Sequence, residues 1–268
     1  MASSEGRIVS WFSCGAASAV ATKLAIQSAQ GREVVVVYCD TSKREHPDNQ
    51  RFLKDCQRWF GQPLLTLGND EYERDTDVVF RKTRYLVGPS GARCTAELKR
   101  AVRLGFQRPD DIVVIGYTAE EYETRQAHLS EAEPLVNFWP ILWERGLSKE
   151  DCYGIVQRAG IELPAMYKLG YRNNNCIGCV KGQAGYWNKI RVDFPERFAE
   201  MAAIERELGR TICKREWVED GVRRLERIPL DRLPPDLGRY GSEPDISCGI
   251  ICQSASLEIE DCDAQEAA

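Results

Sequence analysis

Four short apolar stretches punctuate the first half of the chain: residues 8–12, 33–39 ("EVVVVYC"), 63–67 and 111–116 ("DIVVIG"). Each is rich in β-branched residues and nearly free of polar positions, which predicts strands covered on both faces. Between them apolar residues recur at helical spacing, predicting helices over 17–28, 47–60 and 95–104. A further helix is predicted over 148–159, with Ser148 as N-cap and Asp151 three residues on. Strands alternating with helices imply the α/β class: a parallel twisted sheet with helices on both faces. "VGPSGARC" (87–94) is rich in Gly and Pro and reads as a mobile loop, and 228–245 lacks either period and reads as irregular linker. The expected organisation is an α/β domain over 1–227, then an irregular C-terminal extension over 228–268 that carries cysteines and acids.

With 268 residues and 43% hydrophobic, the chain can build a sizeable core. No run approaches the roughly eighteen apolar residues of a membrane helix, and the N-terminus lacks a basic segment followed by an apolar one. A soluble chain with no membrane association and no secretory signal is expected. Eleven cysteines, an odd number, then fit a reducing compartment, where thiols are free, catalytic or metal-bound more often than paired. The expected location is the cytoplasm.

A net charge of −5 argues against a surface coated for duplex DNA, but the charge is uneven. Residues 81–108 carry eight Lys or Arg against one acid, and 168–191 carry five against none. These segments are either solvated helix faces or two walls of a site for an anion.

The first strand runs into the first helix through "SCGAAS" (13–18). In an open parallel sheet, ligands bind beyond the carboxyl ends of the strands, near the point where strand order reverses. Small residues there leave main-chain N–H groups unobstructed at the positive end of a helix, an arrangement that suits phosphate or sulfate. The pattern is neither Rossmann nor Walker, because Gly15 is its one glycine and no Gly-Lys-Ser/Thr follows. Close packing of helix on sheet explains the small residues equally well. Asp40 and Thr41, after the second strand, would reach a ribose or adenine edge, or else cap a helix. Lys99 and Arg125 would meet the anionic end, or else serve as exposed salt-bridge partners.

"CIGC" (176–179) places two thiols three residues apart, a spacing for half a zinc site, a redox dithiol or iron–sulfur ligation. Cys39, Cys56, Cys152 and Cys213 sit in apolar or helical surroundings and read as small buried hydrophobes. The two histidines, His46 and His128, lie in no telling motif, which leaves a histidine metal site or Ser-His-Asp triad without support. "AGYWNKIR" (184–191) would stack a base or pack beside the CxxC turn.

"SCGAASAV" resembles the PP-loop of the PAPS reductase and adenine nucleotide α-hydrolase superfamily, whose general form is Ser-Gly-Gly-x-Asp-Ser. Cys14 replaces the first Gly and Ala17 the Asp, as in the looser loops of the sulfonucleotide reductase branch. Further segments resemble that family in order: "YCDT" (38–41), "RCTAELKR" (93–100), "IGYTAEEYETR" (115–125) and the run from "PILWERGLSKEDC" through "LPAMYKLGYRNNNCIGC". The resemblance covers about residues 8–179.

It implies an adenine nucleotide, whether an adenylyl sulfate or ATP, bound by Ser13, Cys14, Gly15, Ala16, Ala17, Ser18, Asp40, Thr41, Lys99, Gly116 and Arg125. It also implies a [4Fe-4S] cluster on Cys94, Cys176 and Cys179. Thr95 stands where the family has a second adjacent cysteine, so the fourth ligand is Cys252 or Cys14, or one iron is open. "SCGIIC" (247–252) resembles the Glu-Cys-Gly-Leu/Ile-His motif and implies Cys248 as the nucleophile on the sulfate sulfur, with a thiol donor such as thioredoxin or glutaredoxin releasing sulfite. Two alternatives stand beside this reading. One is an ATP-dependent sulfurtransferase that thiolates a nucleic-acid base; the other is a non-catalytic nucleotide- or zinc-binding module. Either form is compatible with an oligomer.

Overall fold

A computed structural model of the protein describes residues 6–88, 91–244 and 246. From the N-terminus run β1 (Ile8–Trp11), α1 (Ala16–Gln27), β2 (Val34–Cys39), α2 (Asn49–Phe60), β3 (Leu64–Leu67), α3 (Thr76–Thr83), β4 (Val87–Gly88) and β5 (Gly91–Ala92). Next come α4 (Arg93–Thr95), a π-helical turn (Ala96–Arg100), α5 (Ala101–Phe106), β6 (Ile112–Ile115), a second π-helical turn (Tyr122–Gln126), α6 (Ala127–Ala132), β7 (Asn137–Trp139) and α7 (Ile141–Glu144). The remainder is α8 (Lys149–Arg158), α9 (Ala165–Lys168), α10 (Ala184–Asp193), α11 (Pro195–Leu208), β8 (Cys213–Glu219) and β9 (Val222–Ile228).

These elements form two compact units. The first comprises Met1–Ser42, His46–Asp70 and Leu98–Asn174. It holds a five-stranded sheet in the order β3-β2-β1-β6-β7, with every pairing parallel. The α/β class read from the sequence is the one observed. All four residues of β1 are buried, as a central parallel strand requires. On one face of β1, Ser10 Oγ meets Thr22 Oγ1 of α1 at 2.8 Å. On the other, Trp11 packs edge-to-face on Phe106 of α5, centroids 6.1 Å apart, so helices cover both faces.

Strand order reverses at β1, with β2 and β3 to one side and β6 and β7 to the other. The crevice beyond the carboxyl ends of β1 and β6 is therefore the switch point of the sheet. Residue Gly116, just past β6, faces it. A Cβ there would stand 2.4 Å from Ser18 Cα and 2.5 Å from Ser18 N, so only glycine lets α1 start this close to β6.

The predicted strands are found within a residue or two of their expected ends, as are α1 and α2. Ser148 caps α8 as expected: its hydroxyl accepts from Asp151 N at 3.1 Å, and the Asp151 carboxylate accepts from Ser148 N at 2.9 Å. The helix predicted over 95–104 begins earlier, at Arg93, and passes through a π turn before ending at Phe106. β7 has only three residues, too few for an apolar pattern to declare it.

The second unit comprises Lys43–Glu45, Glu71–Glu97 and Asn175–Ala268. Its helices α10 and α11 pack together, and the α11 boundaries follow local rules: Pro195 at the first turn and Gly209 in the left-handed region after the last. β4 and β5 pair antiparallel within the Gly/Pro-rich stretch 87–94. Pro89 and Ser90 lie outside the described residues. β8 and β9 form an antiparallel hairpin whose residues are exposed except Cys213 and Ile228, which pair at its open end.

The stretch read as linker is irregular but held down. Leu230 and Leu233 are buried, and the Asn188 side-chain amide donates to the carbonyls of Pro234 and Leu237, both at 2.9 Å. The Glu243 carboxylate accepts from Tyr186 N at 2.9 Å, capping the open end of α10.

Candidate functional site

Between β1 and α1 the chain turns through Ser13, Cys14 and Gly15, with Cys14 in the left-handed region at φ 61°. A non-glycine residue holds that conformation when its surroundings determine it. Here the Cys14 side chain is fully buried and its Sγ–H donates to Asn49 O at 3.5 Å, while its carbonyl accepts from Asn174 Nδ2 at 2.7 Å. Asn174 Nδ2 also donates to Asn49 Oδ1 at 2.8 Å. Two asparagines from distant segments thus clamp the loop, and the Cys14 thiol faces the core.

Ser18, in the first turn of α1, reaches back into the loop. Its Oγ accepts from Ser13 N at 3.1 Å and from Gly15 N at 3.3 Å, and donates to Gly15 O at 2.9 Å. The Ala16 amide donates to the Tyr167 hydroxyl at 3.4 Å. The sequence suggested unobstructed N–H groups; the structure corrects this, because a serine at the third helical position caps the residues before it.

The other nucleotide candidates are placed as follows. Gly116 adjoins Ser18. Asp40 follows β2, and its Oδ1 accepts from Ser42 N at 3.0 Å in an Asx turn, where the sequence offered a helix cap as its alternative role. Thr41 is buried. Lys99 is half-buried on the first π turn, and Arg125 on the second is ion-paired with Glu121 at 2.6 Å. His46 Nδ1 accepts from Asp48 N at 3.1 Å, a local contact.

In the second unit the CIGC turn is held by main-chain bonds. Cys179 N donates to the Tyr186 hydroxyl at 2.9 Å, Ile177 N donates to Arg44 O at 2.7 Å, and Ile177 O accepts from Arg197 Nε at 3.2 Å. Gly178 has φ +73°, and a Cβ there would stand 3.1 Å from the Arg197 side chain and 3.2 Å from Trp187. Tyr186 and Trp187 are buried, so the aromatic run 184–191 packs beside the CxxC turn, one of the two roles anticipated for it. Burial lifts the Tyr186 hydroxyl well above the usual phenol range, so it stays protonated.

Arg197 in turn makes a bidentate pair with Asp77, both contacts at 2.7 Å, and Arg44 makes one with Asp75 at 2.7 and 2.8 Å. A cavity of about 370 Å³ opens beside Ile177, Arg44 and Arg197.

Cys94, Cys176 and Cys179 all belong to this unit, with Cys94 and Cys176 partly exposed and Cys179 buried. Among the described residues no three His, Cys, Asp or Glu side chains converge as they would round a single metal ion. Cys176 and Cys179, on one turn, are the donor type of a thiolate-ligated cluster. Cys248 and Cys252 lie outside the described residues. The chain approaches them at Ile246, whose carbonyl accepts from the side chain of Asn175, the residue before Cys176, at 3.1 Å.

Cys39, Cys56, Cys152 and Cys213 are buried, as their surroundings suggested. Burial pushes the thiols of Cys152 and Cys213 up to about 12, so neither is a nucleophile at neutral pH.

Sequence reasoning does not single out Asn49, Tyr167, Asn174 or the Arg44–Asp75–Asp77–Arg197 network. Their only local signals are the "NNN" run at 173–175 and the position of Tyr167 in "MYKLGY". Among the described residues no helix is long and apolar enough to cross a membrane. No protein-family model matches the chain, and no curated protein matches it significantly.

Proposed function

We propose that this chain is a thiol-dependent reductase of an adenylyl sulfate, with the nucleotide bound at 13–18 and at the carboxyl ends of β1, β2 and β6. The observation that carries the reading is a small-residue loop at the start of α1, at the switch point of a parallel sheet, with Gly116 against its first turn. Loop amides and helix dipole favour the nucleotide's phosphate, and Asp40 at the neighbouring strand end is suited to ribose hydroxyls.

The Cys248 thiolate attacks the sulfate sulfur, the bond from that sulfur to the bridging phosphate oxygen breaks, and AMP or its 3′-phosphorylated form leaves with the electron pair. A partner thiol, as in thioredoxin or glutaredoxin, then attacks the cysteine sulfur. Sulfite departs with the bonding pair, and a second thiol of the partner closes its disulfide and frees Cys248. Cys94, Cys176 and Cys179 would hold the iron–sulfur cluster, which supplies Lewis-acidic iron and inorganic sulfide when bound.

The test uses protein purified without oxygen. About four irons with matching acid-labile sulfide per chain are expected, with sulfite released from an adenylyl sulfate plus thiol. Cys248→Ser should abolish release yet keep AMP binding. Undiminished release by that variant, or no nucleotide binding at all, sinks the reading. The set of three thiols also favours a second reading, ATP-dependent thiolation of a nucleic-acid base with sulfide carried on an open iron. Pyrophosphate release from ATP, stimulated by tRNA or DNA, would establish it in place of the first.

A further inference from the structure

Tyr167 lies on α9, far in sequence from the loop it touches, and three observations define its hydroxyl. Its oxygen accepts from Ala16 N at 3.4 Å. With an amide donating to its oxygen, the phenol keeps its own O–H proton to donate. The oxygen also stands 3.2 Å from where a Gly15 side chain would begin, which puts that donor against the loop. The ring is held from behind by Tyr153, with centroids 5.0 Å apart. Burial raises the hydroxyl above its usual range, so the proton stays in place across the physiological pH range.

We propose that Tyr167 is a ligand-contacting residue of the 13–18 loop, donating its hydroxyl proton to an oxygen of the bound phosphate. This rests on the nucleotide reading given above. It makes the Pro164–Asn174 segment a wall of the site: Asn174 sets the conformation of Cys14, and Tyr167 adds a side-chain donor to a loop that has neither lysine nor arginine. A donor to a charged oxygen is worth more than one to a neutral group, so it should discriminate a nucleotide from its nucleoside.

The test is calorimetric titration of the full chain and its Tyr167→Phe variant with AMP and with adenosine. The variant should bind AMP about 10- to 100-fold more weakly and adenosine as the parent does. AMP affinity within twofold of the parent overturns the proposal. Equal losses for both ligands also overturn it, because they mark a structural role. Tighter AMP binding would make the hydroxyl an occluding plug and overturns it as well. If the parent binds neither ligand, the nucleotide reading itself fails and takes this with it, an outcome distinct from the other three. Should Tyr167→Phe not fold, Gly15→Ala, whose methyl would crowd the hydroxyl, makes the same comparison: selective loss of AMP supports the proposal and unchanged or parallel affinities overturn it.

Discussion

Glu205 shows how one side chain can hold a fold and set its response to pH. It is 2% exposed, and its carboxyl accepts from Ile212 N and from Leu230 N, both at 2.6 Å, pinning the chain on either side of the hairpin to α11. Burial is the largest influence on its acidity. With Asp231 it outweighs those two amides and Arg206, and the group is pushed from 4.5 up to about 7. A carboxyl with a raised folded pKa keeps its proton longer in the native state, so unfolding is favoured once the unfolded chain can ionise. Its contribution is complete below about pH 4.5 and is lost as pH climbs through 7, a change of roughly 3 kcal/mol. Urea unfolding from pH 4.5 to 8 should show the parent losing stability relative to Glu205→Gln over that window. Parallel curves would mean the carboxyl titrates normally. The 3.6-residue period of α11 places Glu205 on the buried face beside Met201, Ala202 and Leu208, but its partners lie seven and twenty-five residues away and appear only on folding.

Among the elements, α1 depends most on a residue outside itself. Its apolar, small-residue composition predicts a buried helix, and Ser10, Thr22 and Ser18 knit it to β1 and the loop by local bonds. Its position is set by Gly116, one hundred residues on, where any side chain would strike the Ser18 backbone. Gly116→Ala should therefore displace the first turn of α1, lowering stability by about 1–3 kcal/mol and, on the nucleotide reading proposed above, weakening AMP binding with it. Unfolding free energy and AMP titration on one sample check this, and a variant indistinguishable from the parent in both would refute the close approach. In the sequence Gly116 is only a glycine after an apolar run; the contact that makes it necessary is tertiary. The π turns at Ala96–Arg100 and Tyr122–Gln126 were illegible for a related reason: each inserts a residue into a helix without any composition that marks it.

Across the whole molecule, burial is unevenly distributed between the central strands and the hairpin. β1, β2 and β6 are clad by helices, whereas among the described residues β8 and β9 pair only with each other and present Val218, Val222 and Leu225 to solvent. A two-stranded ribbon without a covered face has little to hold it closed. Hydrogen exchange should thus find the amides of 8–11, 34–37 and 112–115 among the slowest, and those of 214–227 fast. Equal protection of the two groups would show that something covers the hairpin.

The α/β class, the order of the first strands and helices, the Ser148 cap and the small-residue loop after β1 were determined by sequence alone, because hydrophobic period and capping chemistry act over a few residues. The neighbour of each strand, the division into two units, the asparagine clamp on Cys14, the Tyr167 hydroxyl at Gly15 and the Arg197–Asp77 support beneath the CxxC turn were decided only in three dimensions. These join residues from 25 to 160 positions apart, and no local pattern records which distant segment will supply the partner.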